Sequence, residues 1–243
     1  MIAFDAALRS SIVTNLAAHE RREHPLDGRR HAAVAILLVD SHPGDDHTDP
    51  AELPDGWSDG VPGMDLVTDV IDGRMVGVSG GAAFVLCRRP SKLRAHPGQW
   101  ALPGGRLDPG ESAVTAALRE TWEELGVDAA DVEVLGLLDD YPTRSGFVIT
   151  PVVLWGRADL ELHPHAAEVA HAYRVGLAEL CRADSPRFVA IPESERPVVQ
   201  VPLGRDLIHA PTGAVLLQFR CVALDGNPGT RVDELEQPVF AWR

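Results

Sequence analysis

The chain has 243 residues and a formal charge of −14, from 22 Lys and Arg against 36 Asp and Glu. That length holds one large domain or two small ones, with room for a substantial core. A composition of 45% hydrophobic and 24% charged residues excludes disorder along the whole chain, and the acidic balance argues against a binder of nucleic-acid backbone.

Residues 3–22 read as an amphipathic helix, with Phe4, Leu8, Ile12 and Leu16 at every fourth position and Pro25 and Gly28 closing it. His31 to Asp40 reads as a buried strand. Residues 41–63 then hold five Asp, four Pro and four Gly among 23 positions, a composition suited to a surface loop within an insertion over 41–79. Val70 to Val76 reads as a hairpin around Asp72-Gly73, and Gly80-Gly81 leads into a second strand, AAFVLCRR. Glu111 to Leu125 reads as a helix stopped by Gly126. Val132 to Leu138 and Gly146 to Trp155 read as strands, and Glu168 to Leu180 as a helix. Further strands are expected around 198–201, 214–224 and 239–242. The mixture predicts an α/β or α+β class with a mixed sheet.

Three cysteines, Cys87, Cys181 and Cys221, show no C-x-x-C spacing. They argue against a disulfide scaffold or a structural zinc site and suit a reducing cytoplasm. The longest apolar run, 32–39, is too short to span a bilayer. Asp5 and Arg9 interrupt what would have to be the apolar part of a signal peptide, so no export signal is expected.

The segment from Gly105 to Val127 concentrates the chemistry. At about 100° per residue, Glu120, Glu123 and Glu124 share an arc of about 100° on one helix face. Ala113, Ala116 and Ala117 fall on the same arc and would floor it, leaving room for a bulky ligand. Val114, Leu118 and Leu125 would face the core, with Trp122 flanking. Three carboxylates so close repel one another unless a cation is present, and oxygen donors in this number suit Mg²⁺ or Mn²⁺ completed by phosphate oxygens or water. Arg119 can lean back to Glu111 as a structural ion pair, while Gly104-Gly105 removes side chains where backbone must pass near something and Gly110 permits a positive φ before the helix.

An isolated E-x-x-E-E run is usually a solvated helix face. The complete spacing from Gly105 through Glu111, Arg119-Glu120 and Glu123-Glu124 to Gly126-Val127 is instead similar to the signature of the Nudix hydrolases, departing only at Thr121. Upstream, residues 85–105 resemble the extra signature of the coenzyme A diphosphatase branch. Leu86, Arg89, Arg94, His96, Gly98, Pro103, Gly104 and Gly105 match, and Cys87, Pro90 and Trp100 depart. Thr143, Ser145, Gly146, Phe147 and Pro151 resemble a strand of the same branch. Pro164 to Val169 resembles the acidic loop that often supplies another carboxylate, here Glu168, which could equally cap a helix.

The resemblance implies an α/β/α sandwich around a mixed sheet, with an N-terminal helix over 1–30, a Nudix domain over 31–182 and a β-rich extension over 183–243. It implies a hydrolase of a diphosphate joined to another moiety, with coenzyme A or an acyl derivative as the best-matched substrate and 3′,5′-ADP and 4′-phosphopantetheine as products. Glu120, Glu123 and Glu124 would hold the metal, and Glu120, Glu123 or Glu168 would take part in catalysis. Arg89, Arg94, Gly104, Gly105 and His96 would meet the substrate, His96 equally as a bonder that fixes its loop. No Asp or Glu occurs between Asp72 and Asp108, so Arg88, Arg89, Lys92 and Arg94 make a local positive patch suited to a diphosphate and a 3′-phosphate. ADP-ribose or a dinucleotide is the alternative substrate, and a nucleotide sensor without activity the alternative class. No nucleic-acid or membrane partner is expected.

Overall fold

The computed structural model describes residues 2–42, 80–90, 99–203 and 206–242. Arg94, His96, Lys92, the hairpin at 70–76 and nearly all of the 41–79 insertion lie outside these residues.

The sheet is built outward from one long apolar strand. Strand β1 (Arg30–Ser41) pairs in parallel with β7 (Phe147–Gly156), Arg30 standing beside Phe147 and Leu38 beside Trp155. On its other edge β1 pairs antiparallel with β4 (Gly104–Arg106) near its start and with β2 (Gly81–Arg88) near its end. Strand β2 in turn carries β3 (Trp100–Ala101) and β8 (His171–Gly176), while β5 (Val132–Leu137) and β6 (Tyr141–Pro142) extend β7. A smaller antiparallel sheet follows, formed by β9 (Arg187–Ile191), β10 (Ser194–Leu203) and β11 (Asp206–His209).

Alternation along β1 divides the core in two. Ala33, Ala35, Leu37 and Val39 face helix α2 (Ala113–Leu125), whose Ala116, Ala117 and Leu125 are fully buried against them. Ile36 and Leu38 face the opposite layer, whose buried cluster includes Ile12 and Leu16 of α1 (Ala6–Ala18) and Val199 and Val201 of β10. Helix α4 (Thr212–Phe219) joins that layer through Val215, Leu216 and Phe219. Full burial of each such aliphatic side chain contributes roughly 1.5–3 kcal/mol. The result is the expected mixed α/β arrangement, with helices on both faces of a mixed sheet.

Four local expectations are corrected. Helix α1 stops at Ala18 instead of running on to Arg22. His19 leaves the helix so that its ring lies between the Asp139 carboxylate at 2.9 Å and the Pro228 carbonyl at 2.7 Å. Residues 168–180 are not one helix but a turn, the strand β8 and a single helical turn, α3 (Leu177–Leu180). Pairing with β2 and the burial of Tyr173 and Val175 outweigh the helix-favouring alanines before them. Residues 214–224 are helical, α4 continuing into a wider turn over Arg220–Leu224. Their unbroken apolar run suits a helix buried nearly all round as well as it suits a strand. Residues 239–241 form a short 3₁₀ turn instead of a strand.

Two adjacent buried aspartates tie distant segments to the β5–β6 corner. Asp139 accepts from the Arg22 N–H at 2.7 Å and from Gln218 Nε2 at 2.8 Å, and pairs with Arg231 at 3.2 Å. Asp140 accepts from Arg21, the His24 N–H and the Thr150 hydroxyl.

Candidate active site

Helix α2 is positioned by its ends. Ser112 caps its N-terminus by accepting from the Thr115 N–H at 3.1 Å, and Gly126, at φ +68°, ends it in a left-handed turn that most residues resist. Arg119 fixes the loop before it, bonding Glu111 through Nε at 3.0 Å and Nη2 at 3.1 Å, as expected of this pair. The Arg106 carbonyl accepts from the same guanidinium at 2.9 Å. These bonds hold the Glu111 carboxyl below the usual carboxylate range.

The alanines have a different use from the one expected. Ala116 and Ala117 are 0% exposed and pack on Ala33 and Ala35, so their arc is the core-facing side of the helix. Small side chains let α2 approach the sheet closely, and Glu120 and Glu124, on the same side, are brought against Gly104 and Gly105. Val114 and Leu118 are only partly buried, and Trp122 is 59% exposed.

Glu120 and Glu124 line a cleft of about 670 Å³ together with Arg89, Gly104, Gly105 and Glu168. Glu124 is buried. That burial, followed by the charge of Glu120, pushes its carboxyl up to about 8, against a hydrogen bond from the Gly104 backbone and the pull of Arg89. Burial also raises Glu120, opposed by its 2.9 Å bond from Arg119. Glu168 reaches this pair because its loop is sewn to the end of α2: the His163 N–H donates to the Leu125 carbonyl at 2.7 Å and the His165 N–H to that of Glu124 at 2.9 Å. The charge of Glu168 bears on both Glu120 and Glu124.

Glu123 does not join them. Its side chain is 40% exposed and turned to Arg119 Nη1 at 3.0 Å, outside the lining of the cleft. Arg88 is also absent from the lining, because its guanidinium is buried over the Trp100 ring at 4.3 Å.

The floor of the cleft joins β1 residues outside the motifs to Arg106 and Phe147, which lie within matched segments, and its far wall comes from residues 207–212. Arg30, Ala32 and Val34 lie on the face of β1 opposite to Ala33 and Ala35, with Arg106, Phe147 and Ile149 beside them. The alternation of β1 carried that signal. Residues 207–212 supply the wall, including His209, which burial shifts down to about 4.

The donors suit a divalent ion. Among the described residues, no three His, Cys, Asp or Glu side chains are gathered into a ready-made metal cage. Glu120 and Glu124 nonetheless offer hard oxygens that repel each other and are withheld from water. The buried Nε of Arg89 has no hydrogen-bond partner among the described residues. Together these are half of a site, whose remaining ligands would be phosphate oxygens and water.

The fold and cleft thus define a mixed-sheet α/β domain carrying an acidic helix behind a double-glycine strand. Residues 74–191 match the family model described as NUDIX domain. It is 38% identical over 109 residues to "Uncharacterized Nudix hydrolase NudL" of Photorhabdus laumondii, covering 44% of this chain and 58% of that protein. It is 45% identical over 80 residues to "Nudix hydrolase 3" of Caenorhabditis elegans, covering 32% of this chain and 33% of that protein. The chain spans a third to just over half of the length of these relatives. Among solved structures, the Nudix hydrolase RenU from M. smegmatis aligns at 22% identity with a TM-score of 0.41, over 63% of this chain and 74% of that one.

Proposed function

We propose that the chain is a Mg²⁺- or Mn²⁺-dependent diphosphatase whose substrate is coenzyme A or an acyl derivative, cleaved to 3′,5′-ADP and (acyl-)4′-phosphopantetheine. The observation that carries the reading is that Glu120 and Glu124 lie against the double glycine in a cleft also lined by Glu168 and by Arg89, whose Nε has no hydrogen-bond partner among the described residues. Glu120 and Glu124 would hold the ion, with Glu168 in reach. A bound ion would supply Lewis acidity toward the diphosphate oxygens. Arg89 binds the same diphosphate, and Glu120 and Glu168 are the carboxylates able to take the proton of the attacking water on a side-chain oxygen. Glu123 serves indirectly, sharing Arg119 with Glu120. Arg94 and His96 enter on the resemblance of residues 85–105 to the coenzyme A branch.

The same reading treats 1–30 as a helix packed on the domain, 31–182 as the domain, and 183–243 as an extension that closes the cleft. No helix among the described residues is long and apolar enough to cross a membrane, and a cytoplasmic setting belongs to the proposal. The test is a screen with Mg²⁺ across coenzyme A, its 3′-dephospho form, ADP-ribose and nucleoside triphosphates. Release of 3′,5′-ADP from coenzyme A is expected. Turnover of ADP-ribose without coenzyme A would overturn the substrate, and nucleotide binding without turnover of any of them would overturn the enzyme.

A further inference from the structure

The cleft holds cations away from its glutamates as well. Arg30, on the first residue of β1, lies with its guanidinium 4.0 Å from the centre of the Phe147 ring, and Arg106 on β4 lies 5.7 Å from the same ring. All three line the cleft. The strand register explains the grouping: Arg30 stands beside Phe147 in the parallel pair β1–β7, and Arg106 is opposite Ala32 in the antiparallel pair β1–β4. Among the described residues neither guanidinium is paired with a carboxylate, although the chain carries 14 more acidic than basic groups.

Two like charges braced on one ring without a counter-ion repel each other. The arrangement is favourable when an anion of two negative charges lies between their N–H donors. Because Arg30 covers the Phe147 ring at stacking distance, the ring serves to hold the guanidinium rather than to receive a base. Arg30 is three residues along β1 from Ala33, the partner of Gly105, which is about 10 Å at the rise of a strand. Arg30 is therefore displaced along β1 from the glutamates, and Arg106, next after Gly105, lines the cleft opposite Ala32, while the charge of Arg89 bears on Glu124.

We infer that Arg30 and Arg106, braced on Phe147, form a second anion site in the cleft, which takes the phosphomonoester at the 3′ position of the substrate's ribose. The inference rests on the diphosphatase reading for its choice of phosphate, and it moves recognition of that phosphate from the 88–94 patch to the sheet floor.

The test compares binding of 5′-AMP, 3′,5′-ADP and 2′,5′-ADP by calorimetry, a measurement that needs no turnover. The wild-type chain is expected to bind 3′,5′-ADP about tenfold or more tightly than AMP, the scale of a charge-assisted contact, with 2′,5′-ADP close to AMP. In the Arg30→Gln/Arg106→Gln variant the advantage of 3′,5′-ADP over AMP collapses, as does the KM advantage of coenzyme A over its 3′-dephospho form. Each single substitution, measured with its thermal unfolding, keeps the comparison open if the double variant does not fold. A variant that weakens AMP and 3′,5′-ADP in parallel, or a wild type that does not distinguish them, overturns the site. Equal affinity for 2′,5′-ADP and 3′,5′-ADP overturns the 3′ assignment. A chain that cleaves no coenzyme A but retains the binding preference leaves this site standing and removes only the diphosphatase reading.

Discussion

A methyl group on the α-carbon of Gly105 would overlap Oε1 of Glu120. Gly105→Ala would therefore push the Glu120 carboxylate, the movable end of a long side chain, out of its place beside Glu124. Loss of at least tenfold in activity with little change in Tm is expected. Gly104→Ala is the contrast, because its new Cβ would meet the Ala33 carbonyl and Val34 backbone within the sheet. That variant should lose stability by about 1–3 kcal/mol, as overpacking in a close-fitted core does. Thermal unfolding beside steady-state kinetics separates the two, and parallel losses in both variants would contradict the distinction.

Glu124→Gln is expected to remove at least a hundredfold of activity while leaving the fold intact. The amide keeps the shape but loses one of two carboxylates available to an ion, and with it much of the charge stabilisation at the diphosphate. The rise in Tm that Mg²⁺ gives the unmutated protein, expected from binding to the folded state alone, should disappear in this variant. An unchanged Mg²⁺ response would remove Glu124 from the ligand set.

Arg89→Ala should raise KM for coenzyme A and for 3′-dephospho-coenzyme A by similar factors. Arg89 acts on Glu124, at the diphosphate that both substrates share. A selective loss on coenzyme A alone would return 3′-phosphate recognition to Arg89.

His209 gives the protein a pH dependence on the acid side. Its folded value of about 4 lies below the ordinary 6.5 because burial disfavours the charged ring. Below pH 6.5 the unfolded chain takes up a proton that the folded chain refuses, so stability falls as pH drops from 6.5 toward 4. The full contribution is of order 3 kcal/mol. Denaturant titrations at pH 7.5 and 4.5 should show a smaller decline in His209→Gln than in the unmutated chain. Equal declines would place the acid sensitivity elsewhere.

The legible parts of this chain were those where one local pattern decides the outcome. The apolar runs of β1 and β2 were visible, as were α2 with its terminal Gly126 and the Arg119–Glu111 pair. The less legible parts were decided by distant partners. The 171–176 segment is extended because β2, distant in sequence, offers it an edge. The run around Val215–Phe219 has no polar face from which to read a period. In the site, Glu120 and Glu124 could be named from spacing, and Arg89 from the 85–105 resemblance and its positive patch. The face of β1 that Arg30 shares with Ala32 and Val34 could be read from the alternation, but its place beside Phe147 depends on a strand register that no local signal encodes. The alanine arc was seen correctly as a face, but its occupant was the sheet rather than a ligand.

The same register sets the order in which the cleft can come into being. Helix α2 carries its own caps and can form early from neighbouring residues. The floor beneath its glutamates needs Arg30 beside Phe147, a closure across about half the chain, and contacts of that span are slow to form. Competence to hold a phosphate should therefore arrive late in folding, well after the acidic helix itself. A chain limited to the matched residues 74–191 would keep Arg106 and Phe147 but lose Arg30 and the strand β1 that aligns them.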